Sequence, residues 1–410
     1  PGFVDSHLHL TYGASSLGDV DLTGATSKDA FLKIIAQTSR PSACEWIVGF
    51  GWSDQLLGGF PDKDWLLELG DSPAIFYSLD LHTAVVNEPV LALLDIPKLS
   101  LMPGSANISQ GIIREDALFD GIGSILPALD SKTKLSRTRS SIKRMQEQGI
   151  TLVGTMETID SLEGVLSKLS KDESMRFRAM CLDAPSPEAF GYCSSLVTPF
   201  LKVTGFKAFL DGSLGSRTAK MYNGWIDTEG SGEWAGVAAN NTFDLWLECV
   251  AKSGYSPVVH AIGDQAVGLA LDAMASVPKS ALPRIEHAQF IAHCDLGKVS
   301  GQCFGVQPLH YPVDARTSLK AVGEERMSTL HNWRGMVDAG ATLSFGSDWP
   351  VAEPNPLAAM RIGIEQGLSA YEVVRMSTSD AADSLRSPKA GRLTVGSYGD
   401  VAILDRDPYN

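Results

Sequence analysis

The stretch Gly2-Phe3-Val4-Asp5-Ser6-His7-Leu8-His9 reads as a buried strand ending in two histidines one residue apart. Alternate strand residues point to the same side, so at a C-terminal strand end both imidazoles can converge on one ion. Seven further apolar runs follow: TLVG at Thr151–Gly154, RFRAMCL at Arg176–Leu182, VTGFKAF at Val203–Phe209, SPVVH at Ser256–His260, RIEH at Arg284–His287, CFGVQ at Cys303–Gln307 and TLSFGSD at Thr342–Asp348. Each precedes a longer segment of helical character. Between Leu162 and Lys171, for example, Leu162, Val165, Leu166 and Leu169 recur at helical spacing. Strands alternating with helices imply a parallel sheet, and eight of them suggest closure into an α/β fold, a (β/α)8 TIM-like barrel.

The spacing breaks once. About 140 residues separate His9 from Thr151, where a βα unit needs roughly 30. Trp46–Trp52 and Ala74–Leu79 look like strands within that gap, with Gly58-Gly59-Phe60-Pro61 as a turn between them. The expected organisation is a barrel over residues 1–390, with 40–120 inserted as a cap-like subdomain over its mouth. Gly391–Asp405 reads as a turn and a strand outside the eightfold pattern.

Composition narrows the class of partner. The 410 residues carry 34 basic and 48 acidic side chains, a formal charge of −14, with no run of Lys and Arg. That balance repels a polyphosphate backbone and an anionic membrane surface, and no apolar run approaches the roughly 18 residues of a membrane span. A small-molecule substrate is the expected partner, and a homodimer is compatible with it. The six cysteines are scattered, with no CxxC pair, which fits a reducing cytoplasm. No secretory signal precedes the first strand, and the abrupt start suggests an excerpt of a longer protein.

His260 and His287 fall on the last residues of predicted strands, and Asp348 does so on the final one. In such barrels the chemistry sits at C-terminal strand ends. With His7 and His9 they make a nitrogen and oxygen donor set suited to Zn2+, or to manganese, iron or nickel by substitution. The bland alternative for His7 and His9 is chance proximity. Lys207, inside the apolar GFKAFL run, is costly to bury as an ammonium and loses its proton readily when desolvated. Either it snorkels at a strand end or it belongs to the metal site. DGSLGSR at Asp211–Arg217 lacks the Lys-Ser/Thr ending of a phosphate loop. It reads instead as a loop shaping the mouth, with Asp211 and Arg217 as substrate contacts or supports. His82 and His310 are further substrate candidates. His293 and His331 are placed in helices as surface or satisfied groups, and Trp52 and Trp349 as packing more than pocket.

The opening PGFVDSHLHL and the closing FGSD at Phe345–Asp348 resemble the first and last barrel strands of the amidohydrolase superfamily. KAFLDGSLGSRTA at Lys207–Ala219, VHAIGD at Val259–Asp264 and RIEHAQ at Arg284–Gln289 are similar to the branch related to N-substituted formamide deformylases. The resemblance spans essentially the whole chain. It implies His7, His9, His260, His287 and Asp348 as ligands of one or two metals, and Lys207 as a bridging ligand carboxylated by CO2. It also implies a small β-sandwich domain, of which 391–410 would be a fragment. DLHTAVVN at Asp80–Asn87 departs from the family segment, which usually has Gly at the second position and Trp at the sixth. The implied activity is hydrolysis of a C–N bond, an amide or formamide, with Asp348 as general acid and base. Isomerase, decarboxylase or ester-hydrolysing chemistry on the same fold is one alternative, and a non-catalytic regulatory protein is another.

Overall fold

The computed structural model describes residues 1–16, 20–38, 46–123, 125–127, 129–172 and 174–409. In chain order the strands are β1 (Phe3–Leu8), β2 (Val20–Asp21), β3 (Ile47–Trp52), β4 (Ala74–Ser78), β5 (Thr83–Val86), β6 (Ile112–Arg114), β7 (Ile150–Glu157), β8 (Arg176–Cys181), β9 (Leu201–Phe209), β10 (Ser256–Ala261), β11 (Arg284–His287), β12 (Cys303–Val306) and β13 (Thr342–Phe345). β1 and β7 to β13 make one eight-stranded sheet, parallel at every pairing. The strands are covered on both faces: β1, β8, β10 and β11 are buried along their whole length, polar residues included. Helices such as Ser131–Glu147, Phe243–Lys252, Asp264–Met274 and Pro356–Glu365 alternate with the strands. Closure between β13 and β1 is made by individual groups. Asp5 Oδ1 accepts from Ser347 N at 3.0 Å and from His7 N at 3.2 Å, and Asp348 N donates to His7 O at 2.7 Å. Gly346 is needed at this seam, because a Cβ there would fall 2.6 Å from that of His7.

The long gap between β1 and β7 holds a second sheet, ordered β2-β3-β4-β5-β6, parallel as far as β4 and antiparallel beyond it. It has apolar groups on both faces, with Phe31, Trp52, Leu66 and Phe76 in one cluster and Ile75, Tyr77, Val86 and Ile113 in another. The sequence reading found two of its five strands. The two-residue β2 and three-residue β6 are too short for alternation to register. Residues 391–409 carry no strand, contrary to expectation. Gly2 N donates to Asp400 O at 2.9 Å, and Arg176 Nε pairs with Asp400 Oδ2 at 2.6 Å. Val395 and Ile403 face solvent. An isolated apolar run has no ladder to join.

Glu157, at the end of β7, ties the start of the barrel together. It accepts from Thr11 N at 3.1 Å, from Thr155 Oγ1 at 2.6 Å and from the Thr11 hydroxyl. Burial pushes its carboxyl up to about 7 in spite of those bonds. Folding therefore favours the protonated form, so the stabilisation is complete below the ordinary carboxyl range and lost as pH rises through 7. Unfolding free energy should fall by about 3 kcal/mol from this group between pH 4 and 8. Urea titrations of wild type and Glu157→Gln at both pH values check this. The variant should show the smaller fall, and equal falls would assign the pH dependence elsewhere.

Candidate metal centre and its pocket

Four imidazoles and a carboxylate gather at the C-terminal ends of the barrel strands. His7 is fully buried, with Nδ1 2.5 Å from Glu286 Oε2. Its Nε2 lies 3.2 Å from Asp348 Oδ1 yet makes no hydrogen bond. His9 Nε2 stands 3.5 Å from the same oxygen, and the donor atoms of His7, His9 and Asp348 all fall within 4.8 Å of one another. His287 Nδ1 faces Gln307 Oε1 at 2.9 Å and lies 4.0 Å from Asp348 Oδ2. His260 Nε2 faces Gly212 O at 2.9 Å. Ring centroids step across the mouth from His9 to His7 at 5.6 Å, to His287 at 4.9 Å and to His260 at 4.5 Å.

These outer partners accept and do not donate, so they fix which ring nitrogen carries the proton. The lone pairs left are on Nε2 of His7 and His287 and on Nδ1 of His260. Burial, reinforced by neighbouring rings, holds His260 and His287 well below the ordinary imidazole range, and burial also lowers His9. Neutral imidazole is the metal-binding form. At His7 burial opposes charge, but the carboxylates of Glu286 and Asp348 outweigh it and raise its pKa. For Asp348 burial acts upward, yet His7, His9 and His287 hold the carboxyl well below its usual range. Lys207 points a buried Nζ with no hydrogen-bond partner, and burial pulls the amine down to about 8. Clustered nitrogen and oxygen donors, misaligned for bonding one another and including two orphaned atoms, fit a divalent cation.

Glu286 was not singled out as a site residue, because strand alternation turns it away from His287. The backbone defeats that rule. His287 and Ala288 have φ of 72° and 43°, and the kink lets both neighbours serve the site. Gly305 on β12 makes room, since a Cβ there would come 2.1 Å from Glu286 Oε2.

Above the centre lies a pocket of about 910 Å³, open to solvent and walled jointly by the inserted sheet and the barrel loops. His82 and His310 line it. His82 Nδ1 meets Glu115 Oε2 at 2.9 Å, its ring is 5.3 Å from that of His260, and Glu115 overcomes the burial penalty to raise its pKa to about 9. Asp211 and Arg217 do not reach the pocket. The Asp211 carboxylate is spent on the backbone N–H groups of Ile262, Gly263 and Lys220, and Arg217, at φ 60°, turns outward to Asp227. They build the loop. Trp52 is a pocket wall as well as core, with Nε1 donating to Phe76 O at 2.8 Å, whereas Trp349 packs on Gly13. His293 meets Ser328 Oγ at 3.2 Å. His331 is in no helix; it is buried against Asp314 behind the pocket wall.

A parallel eight-stranded barrel with such a donor cluster beneath its pocket defines a class of metal-dependent hydrolases. The chain belongs to the amidohydrolase family, whose pattern matches residues 1–410. Protein LONG AFTER FAR-RED 3 of Arabidopsis thaliana is 27% identical, covering 100% of this chain and 78% of that protein. N-substituted formamide deformylase of Arthrobacter pascens is 26% identical, covering 100% and 83%. Among solved structures, an uncharacterized metal-dependent hydrolase from Pyrococcus furiosus superposes with TM-score 0.75 at 29% identity, covering 100% and 87%.

Glu286→Gln removes the charge that holds both Arg284 and His7. The expected result is a loss of about 3 kcal/mol or more in stability, together with metal binding weaker by roughly tenfold to a hundredfold. Thermal unfolding and zinc titration against a chelating dye measure the two. Unchanged metal affinity would make Glu286 a packing group only.

Proposed function

We propose that the chain hydrolyses a C–N bond, an amide or formamide, of a small organic molecule. The observation that carries this reading is the convergence of His7, His9, His260, His287 and Asp348 on one region beneath a pocket open to solvent, with Lys207 buried alongside. These residues would hold one or two divalent ions, zinc by the character of the donors. Such an ion supplies Lewis acidity, acidifying water and polarising a carbonyl. Lys207 would join the set after its neutral amine adds to CO2, releasing one proton and leaving a carbamate; its lowered pKa favours that amine form.

The protein's own groups supply the rest. Asp348, kept ionised by the rings around it, takes the proton from the attacking water and returns it to the departing nitrogen. His82, cationic and held by Glu115, donates a hydrogen bond where negative charge develops on the substrate oxygen. The similarity to a formamide deformylase supports the choice of bond.

Metal analysis of purified protein and a formate-release assay on N-alkylformamides test the proposal. The loaded enzyme should turn over, chelation should abolish activity, and Asp348→Asn should lower kcat by about a hundredfold to ten-thousandfold. Undiminished turnover in that variant would remove Asp348 from the role.

A further inference from the structure

We propose that this pocket selects substrates bearing a cationic or hydrogen-bond-donating nitrogen at the end remote from the scissile bond, held by Gln289 and Asp314. The inference rests on the reading of the pocket as a hydrolase's substrate site. Gln289 lies two residues beyond His287, and Asp314 on the helix Tyr311–Val322 that follows β12; both line the pocket. The Gln289 side chain is almost wholly buried, and its Nε2 donates to Asp314 Oδ2 at 3.0 Å. A carboxylate oxygen accepts only, so the orientation of the amide is fixed and Oε1 is left over. That Oε1 is buried and has no hydrogen-bond partner.

Asp314 is held from behind. His331 Nε2 meets the same Oδ2 at 2.8 Å, and His331 N donates to Gln289 O at 2.7 Å. The second carboxylate oxygen, Oδ1, has no hydrogen-bond partner among the described residues. Both residues line one cavity and each carries an acceptor oxygen without a hydrogen-bond partner, which for the buried Gln289 Oε1 is costly. Such acceptors call for a donor, and an ammonium supplies one with charge assistance. The remaining walls agree. No Lys or Arg lines the pocket among the described residues, and the charge on His82 is matched by Glu115. Aspartates line it at Asp54, Asp80 and Asp348 as well, with Asp80 already accepting from Ser213 Oγ at 2.6 Å. A carboxylate at the substrate's far end would meet acceptors and no cation.

Three probes that share a four-methylene chain test this on the metal-loaded protein: N-(4-aminobutyl)formamide, its isostere N-pentylformamide, and 5-formamidopentanoate. Calorimetric binding and formate release are read separately. The ammonium probe should bind roughly tenfold tighter than the pentyl probe, and the carboxylate probe weaker than both. Asp314→Asn should collapse the ammonium-to-pentyl ratio toward one. Gln289→Leu, close in volume, should reduce it independently, so the test survives if the first variant does not fold. Preferential ammonium binding with no formate from any probe would overturn the formamide reading and sustain this one. Equal binding of ammonium and pentyl probes, tighter binding of the carboxylate, or full preference retained in either folded variant would overturn this one, whatever the turnover.

Discussion

Across the barrel lumen runs a buried chain of charge from Arg284 through Glu286 to His7. Arg284 bonds Glu286 through Nε and reaches Ser6 O through Nη2 at 2.9 Å, while Glu286 Oε2 meets His7 Nδ1 at 2.5 Å. The chain joins β11 to β1, 278 residues apart in sequence, from within. A buried ion pair contributes little net stability when complete, but losing one member leaves a stranded charge worth several kcal/mol. The triad therefore penalises any barrel in which β1 is out of register. It also fixes the orientation of the His7 ring, so the same bonds that close the fold place Nε2 beside Asp348.

Desolvation accounts for the rest of the centre. The strand ends are largely buried, and the groups there respond in opposite directions. His260 and His287 lose their affinity for protons, Lys207 is pulled toward a free amine, and Asp348 stays ionised because imidazoles face it from the ends of two strands. The result is a concentration of available lone pairs beside one fixed negative charge. No single residue produces that; it follows from placing several titratable groups at adjacent ends of a closed parallel sheet.

The barrel was legible because its strands, buried on both faces, give unbroken apolar runs at regular spacing. The metal-site candidates were legible because they terminate those runs. What alternation could not foresee is where the backbone leaves regular geometry. His287 at φ 72° brings Glu286 to the site beside it, and Arg217 at φ 60° takes its guanidinium away to Asp227. Non-local partners were equally hidden. Glu115 behind His82 and Asp314 beside His331 lie 33 and 17 residues from the groups they hold, with no periodic pattern linking them. The inserted sheet was half visible, since strands of two or three residues carry too little alternation to read.

The insertion follows β1, yet its pocket-facing residues meet the loop after β9. Thr83 Oγ1 lies 2.6 Å from Ser216 Oγ, Asp80 accepts from Ser213, and Thr218 Oγ1 donates to Glu115 Oε1 at 2.5 Å. The Gly212-Ser213-Leu214-Gly215-Ser216 segment thus anchors the inserted sheet, and its last four residues also line the pocket. A Cβ at Gly212 would lie 2.3 Å from Glu115 Oε1, and one at Gly215 would lie 2.4 Å from Asp80 Oδ2, so glycine permits the close approach. The consequence is a division of labour. Barrel strand ends carry the candidate ligands, the insertion supplies His82 and the aromatic wall, and the glycine-rich loop fixes one against the other. Because its hydroxyls meet the inserted sheet through specific bonds while Gly212 O faces His260 Nε2, a change in this loop would displace His82 relative to His260.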